Sequence, residues 1–391
     1  MNIQTISLLI TTLLLLQHTA IIATSSDSMS IQLAWKKLNP IACGKFGIPC
    51  ERSSHGLSLV QNGSRLILHG GERIARTPLD SSQSTWAADK KEGSSDDEWS
   101  WRRICSDTIC PPERVAHAQA VYDDSIVYIF GGRAGITMQE KAMNDLWALD
   151  CSGEPGTEKW KLVEPDLENG DHPPEERSFH KMLCIGSNLY VFGGCSAHHG
   201  RLADLHKFHI PTRTWTNLGS SKHLRGRGGP TLMTFGSEKQ LGIVAGFAGE
   251  ETNDGHMFDL TSNQWEEENI DVKLEGLRPR SVAIGASFPS VHKSIIFGGE
   301  VDPSDKGHEG AGGFENDVVL LDEVTSKYLG STLPATGSGE EWPEKRGWSE
   351  GASFDDGKGM GQLYIFGGLT GDDANPMRLA DLWRLQVTSS D

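Results

Sequence analysis

Glu300, Asp302, Asp305 and His308 fall within nine residues of one another, and Gly310, Gly312 and Gly313 follow. One imidazole with two carboxylates is a donor set for a hard or borderline divalent ion such as Fe(II) or Mn(II), with positions left open for substrate. The same composition also describes a solvated loop. Arginine offers a second chemistry. Arg52, Arg114, Arg177, Arg227, Arg280 and Arg346 recur along the chain, and a guanidinium grips sulfate or carboxylate through two parallel hydrogen bonds. A ring of them favours a small anionic substrate, or bonds loop carbonyls as a structural device. Trp348 stands two residues after Arg346, on the same side if the segment is a strand, and offers its ring to an apolar side chain. His55, His117 and His180 each stand three residues after an Arg. Strand alternation turns them the other way, toward hydrogen bonds between neighbouring units.

The elements that position these groups repeat. An apolar run ending in small residues recurs as RLILHGG, VYIFGG, LYVFGG, LGIVAGF, SIIFGG and LYIFGG, on average about 59 residues apart. An Arg precedes each run. An Asp-bearing apolar segment follows, as in Asn144-Asp145-Leu146-Trp147 and Ala380-Asp381-Leu382-Trp383, and then an aromatic at Trp101, Trp160, Trp215, Trp265 or Tyr328. Each unit reads as four short strands, a to d, with Gly-Gly ending strand b. A pair without Cβ lets the backbone turn where units crowd together. The last unit has no fourth strand, whereas an unassigned aromatic strand, Leu33–Leu38, precedes the first Arg. The N-terminal strand is therefore expected to complete the last unit, which closes the ring and removes an open edge. The fold class is all-β: a six-bladed propeller over residues 30–388. Strands a and b are antiparallel, so the Arg residues and the connections after Gly-Gly converge on one mouth of the channel.

Composition narrows the partners. There are 36 Lys+Arg against 53 Asp+Glu, a formal net charge of −17, which repels nucleic-acid phosphate. Residues 6–16, ISLLITTLLLL, are too short for a comfortable transmembrane helix and are followed by small residues. Residues 1–25 read as a signal peptide, with a signal anchor as the alternative. The expected location is secreted or in the endomembrane lumen, with no membrane attachment after cleavage, and the expected state is a monomer. Export would permit local disulfides within Cys43/Cys50 and Cys105/Cys110, while Cys184 reads as a buried thiol. Asn62-Gly63-Ser64 is both a glycosylation sequon and a hairpin turn.

The repeats resemble kelch repeats, and the segment after Gly298-Gly299 resembles a narrower group, the plant specifier proteins of glucosinolate breakdown (nitrile-specifier, epithiospecifier and thiocyanate-forming proteins). In that family Gly-Gly-Glu is followed by Asp at four residues and His at eight. Here Glu300 and His308 match, Ser304 stands at the fourth position, and Asp305 and Asp302 flank it. The resemblance implies Fe(II) held by Glu300, His308 and Asp305, with Asp302 as the alternative ligand. It implies substrate contacts from Arg114, Arg177, Arg346 and Trp348, and places Arg227-Gly228-Gly229 at the equivalent fourth-blade segment. The implied reaction is the redirection of a thiohydroximate-O-sulfate, released when myrosinase cleaves a glucosinolate, toward a nitrile. The competing reading is a non-catalytic kelch propeller that binds a protein partner. A copper-radical oxidase needs two Tyr ligands, but Tyr128, Tyr190 and Tyr364 read as core. A sugar epimerase on the same fold has no distinguishing mark here.

Overall fold

The computed structural model describes residues 20–22, 30–93, 98–104, 109–135, 142–334 and 341–390. Six four-stranded antiparallel units follow one another in chain order. Blade 1 runs through Gly56–Val60, Arg65–His69, Thr85–Lys90 and Trp99–Arg103. Blades 2 to 5 begin at Ala118, Lys181, Thr231 and Ile284. Blade 6 has only three consecutive strands, Glu350–Asp355, Met360–Gly371 and Pro376–Ser390. Its fourth strand is Ser30–Leu38, paired with Pro376–Ser390 from Ser30↔Ser390 to Leu38↔Leu382. The ends are thus joined by a sheet, as the missing strand required. Ala20–Ile22 adds a further strand outside Ser30–Leu38. The rest of the segment read as a leader, and Cys105, lie outside the described residues.

The core is divided among the blade interfaces. Trp160 packs with Ile67 and Ala87 of blade 1, Trp215 with Ala118 and Phe130 of blade 2, and Trp35 with Phe288 and Ile295 of blade 5. The strand d aromatics therefore join each blade to the one before it. Tyr128, Tyr190 and Tyr364 are buried in the same interfaces.

Gly-Gly has a concrete cause. In blade 1 a Cβ on Gly70 would lie 2.7 Å from the carbonyl oxygen of Arg114, and one on Gly71 would lie 2.8 Å from that of Ser53. Both residues have positive φ. The second glycine's N–H also donates to the carbonyl of the next blade's Arg: Gly71 to Arg114, Gly132 to Arg177, Gly299 to Arg346, and Gly368 to Arg52. Any side chain would hold the blades apart.

Three expectations need correction. Cys43 and Cys50 are free thiols. Cys184 is half-buried and not enclosed. The six arginines do not begin strand a; each lies four residues before it. Asn62 takes the turn role, with φ 52° between strands a and b of blade 1.

Candidate functional site

The segment between each Arg and strand a decides what faces the channel. The second residue after each Arg is left-handed: Ser54, Ala116, Phe179, Gly229, Val282 and Trp348 have φ between 46° and 58°. Their backbones form a closed circuit. Ser54 N–H donates to Trp348, Ala116 to Ser54, Phe179 to Ala116, Gly229 to Phe179, Val282 to Gly229 and Trp348 to Val282, at 2.8 to 3.1 Å. This iris crosses the channel and forms the floor of the mouth. A left-handed conformation is costly for a bulky or β-branched residue, and the circuit holds Phe179, Val282 and Trp348 in it. The same kink breaks strand alternation, so Arg346 and Trp348 do not share a side. Arg346 is 1% exposed, whereas Trp348 lines the mouth.

The repeated arginines are not in the mouth. Arg114 and Arg177 are fully buried. Arg114 donates through Nη1 and Nη2 to both oxygens of Asp145 at 2.8 Å, through Nη1 to the Gly131 carbonyl, and through Nε to the Pro112 carbonyl. Arg177 holds Asp204, Gly193 and Glu175 in the same way, as Arg346 holds Asp381, Gly367 and Glu344. A carboxylate of the protein already occupies the fork that would take sulfate. The expectation that Arg114, Arg177 and Arg346 contact substrate is therefore corrected: they clamp strand c to the blade. Burial alone would raise the Asp145 and Asp381 carboxyls, but the guanidinium bonds outweigh it and hold both below the usual range.

His55, His117 and His180 are buried and lie at blade interfaces. The His180 ring bonds the Phe130 carbonyl of blade 2 at 3.1 Å, and the His117 ring lies against Gly70 of blade 1. Burial, reinforced by the neighbouring Arg, pushes all three well below the ordinary histidine value, His117 to about 3.

Above the iris lies a cavity of about 160 Å³, lined by Phe179, Phe247, Val282, Trp348, Glu300 and His308, with Cys195 and Arg201 at its side. Several of these residues come from one repeat position, the residue immediately after Gly-Gly: Glu72, Arg133, Cys195, Phe247, Glu300 and Leu369. Each is bridged to the residue after the repeat Arg, as in Ser53↔Glu72, Val115↔Arg133 and Ser281↔Glu300. That position is polar in some blades and apolar in others, so the mouth is uneven.

His308 comes from the connection of blade 5, on a short turn over Gly307–Glu309. Its ring stacks on Phe179, with centroids 5.1 Å apart and planes 8° apart, and meets the edge of Trp348 at 4.8 Å. Burial pushes its pKa down to about 3, and the charges of Arg133, Arg76 and Arg201 act in the same direction. Both effects favour the neutral imidazole. The Arg133 guanidinium sits 5.1 Å over the Phe179 ring, and Arg201 sits 4.6 Å over Phe247.

Glu300 is buried. Burial raises its carboxyl to about 7, although the Ser304 and Gly312 backbone N–H groups pull the other way. Glu251, bonded through Oε1 to the Ser281 hydroxyl at 3.2 Å, is raised to about 8 by burial, and nearby Glu300 adds to the shift. This side of the mouth therefore carries less negative charge near neutral pH than two ordinary carboxylates would.

Of the metal donors expected from the sequence, Glu300 and His308 share the cavity and the aspartates do not. The Asp302 carboxylate is exposed and paired with Arg278 at 3.2 Å. Asp305 is exposed, and its backbone N–H donates to Asp373. Ser304, at the position of the family's Asp, donates its hydroxyl to Asp373. Among the described residues no group of three or more His, Cys, Asp or Glu side chains is assembled for a metal. The donor set does not fit Fe(II), whose facial site takes three protein donors, since only Glu300 and His308 are brought together.

The family described as the KLHDC2/KLHL20/DRC7 Kelch-repeats domain matches residues 95–299. The chain belongs to the kelch-repeat family. It is 26% identical over 323 residues to the N-(sulfonatooxy)prop-2-enimidothioate sulfolyase of Thlaspi arvense, covering 77% of this chain and 84% of that protein. It is 29% identical over 336 residues to Adagio protein 3 of Arabidopsis thaliana, covering 80% of this chain but 46% of that protein. It is 32% identical over 205 residues to the Drosophila melanogaster homolog of leucine-zipper-like transcriptional regulator 1, covering 50% of this chain and 19% of that protein. The chain thus spans less than half the length of the last two. The solved structure of YjhT matches with a TM-score of 0.58 over 88% of this chain and 98% of that one; at 15% identity this shows the fold alone.

The residues that sequence reasoning missed are Arg76, Arg133, Arg201, Glu251, Phe179 and Phe247. For Arg133, Phe247 and Phe179 a signal existed: the residue after Gly-Gly and the second residue after Arg are the repeat positions that face the mouth. Arg76 and Arg201 sit on irregular connections, and no repeat position marks them.

Proposed function

We propose that this kelch propeller binds a small organic anion at the mouth, with its charged head among Arg76, Arg133 and Arg201 and an apolar side chain in the cavity over the iris. One observation carries the reading: the guanidinium groups of Arg133 and Arg201 sit over Phe179 and Phe247, two rings that line the same cavity. Cations over aromatic faces attract an anion while leaving apolar surface for its tail. The finer reading is a sulfolyase-type reaction, loss of sulfate from a thiohydroximate-O-sulfate to leave a nitrile. It is supported by the name of the Thlaspi arvense relative, which matches most of the chain, and by the Gly298-Gly299-Glu300 and His308 positions. The residues assign roles within that reading. Arg133 and Arg201 hold the sulfate, Trp348 and Phe247 exclude water from the side chain, and Glu300, raised to about 7, can take up or release a proton near neutral pH.

The test is the product of allyl glucosinolate treated with myrosinase in the presence of the chain. A nitrile formed at the expense of isothiocyanate is the expected outcome. Isothiocyanate alone, with Fe(II) supplied, would overturn the lyase reading. A second reading, binding of a protein partner, is favoured by the Adagio and leucine-zipper-like relatives, in which this propeller is one part of a longer chain.

A further inference from the structure

We propose that the blade 5 connection is a strap, that His308 fills a slot between Phe179 and Trp348 as an internal stand-in, and that the ligand which displaces it is one planar aromatic ring bearing a sulfate or carboxylate. The proposal rests on the anion reading of the same mouth and adds the shape of the ligand and the part that must move.

The slot has two fixed walls and one movable filler. Phe179 and Trp348 belong to the iris, where backbone bonds lock both, and their rings meet edge to face at 5.2 Å. Stacked on Phe179, the imidazole lies almost parallel to that wall. Ring contact is what holds it there, and an aromatic pair is a modest interaction. The strap is anchored on both sides of His308. Before it, the Ser304 hydroxyl and Lys306 Nζ bond Asp373 of blade 6. After it, Gly313 bridges Asp302 and Phe314 bridges Glu300. Between the anchors lie Gly307, with φ +58°, and Gly310 and Gly312. A swing of this one turn lifts the imidazole and leaves the blade intact.

The ligand's chemistry follows from what His308 supplies and what it lacks. It supplies a flat ring of the right orientation. The adjoining cavity of about 160 Å³ is near the volume that takes a single benzene ring. What His308 lacks is negative charge in either protonation state, whereas the Arg133 guanidinium sits 5.1 Å over the Phe179 ring and Arg201 sits 4.6 Å over Phe247. An aromatic acid supplies both ring and charge.

The experiment titrates the purified chain with phenyl sulfate and, separately, with methyl sulfate, which has the same head and no ring. Wild type binds both, phenyl sulfate more tightly. His308→Ala is expected to tighten phenyl sulfate about tenfold, the scale of one aromatic pair, and to leave methyl sulfate unchanged. Phe179→Leu, which keeps an apolar wall but no ring, is expected to remove the preference for phenyl sulfate. Should His308→Ala weaken phenyl sulfate, or shift both anions alike, the strap proposal is overturned while anion binding stands. If neither anion binds wild type or His308→Ala, the anion reading fails and the strap proposal fails with it.

Discussion

Two sets of arginines lie at the same end of this propeller and do different work. The repeated set, Arg52, Arg114, Arg177, Arg227, Arg280 and Arg346, is at most 1% exposed. Five of its six members grip an aspartate of strand c: Asp145, Asp204, Asp254, Asp317 and Asp381. The irregular set, Arg76, Arg133 and Arg201, appears once each on three blade connections, and its charges act on His308. Repetition marks the first set as scaffold, because every blade must solve the same problem of holding strand c and the Gly-Gly corner together. Departure from repetition marks the second. A six-fold device cannot recognise an asymmetric ligand unless some blades differ.

The largest expected effect is on the repeated set. Arg177→Met leaves two carbonyls without their partner and Asp204 with His206 alone, and removing one member of a buried ion pair costs up to about 3–5 kcal/mol. Chemical denaturation should register that loss. Arg52 sharpens the point, since it bonds the carbonyls of Cys50, Gly70 and Gln83 and the Cys50 sulfur, and grips no aspartate. Arg52→Met should therefore destabilise less than Arg177→Met, and equal losses would show that the carbonyl bonds matter more than the ion pair.

Next comes acid. His55, His117 and His180 have folded pKa values below their unfolded ones. The unfolded chain takes up protons first, so stability is fully present above about pH 6.5 and is lost as pH falls. For His117 that window runs down to about 3. Thermal melts from pH 7 to 4 should show a falling midpoint. His117→Gln should flatten the pH dependence by up to about 1.4 kcal/mol per unit, and an unchanged slope would count against a buried neutral ring.

On the irregular set, Arg201→Ala should leave the unfolding free energy within about 0.5 kcal/mol of wild type, since the side chain is exposed. It should weaken methyl sulfate binding about tenfold, the scale of one charge-assisted hydrogen bond. Loss of stability without loss of binding would reverse the division between the two sets. The smallest expected effect concerns metal. After anaerobic loading with Fe(II) and desalting, wild type and His308→Ala should retain equally little iron. Stoichiometric iron that vanishes in His308→Ala would mean that the strap rearranges to bring Asp302 or Asp305 beside Glu300.

Several features were legible because they recur. Each Gly-Gly, each Arg and each strand d aromatic answers a constraint imposed at every blade, so their spacing alone carries the propeller and its closure by Leu33–Leu38. The direction of side chains near the channel was not legible. Reading Arg346 and Trp348 as strand neighbours places them together, and the left-handed kink at Trp348 separates them. That kink comes from a hydrogen bond to Val282 of the preceding blade, a contact no local pattern encodes.

By itself, then, the sequence determined the blade count, the strand that closes the ring, and Glu300 and His308 as chemical groups at one mouth. Periodic burial and steric crowding at Gly-Gly suffice for that, since they act within about one repeat. The tertiary structure alone decided that the repeated guanidinium groups are engaged inside the blades, that Asp302 and Asp305 turn away from Glu300, and that Arg133 and His308 both meet the Phe179 ring. Those outcomes depend on which groups are neighbours across the channel axis. Their charge, burial and competition for partners are set only when the ring has closed.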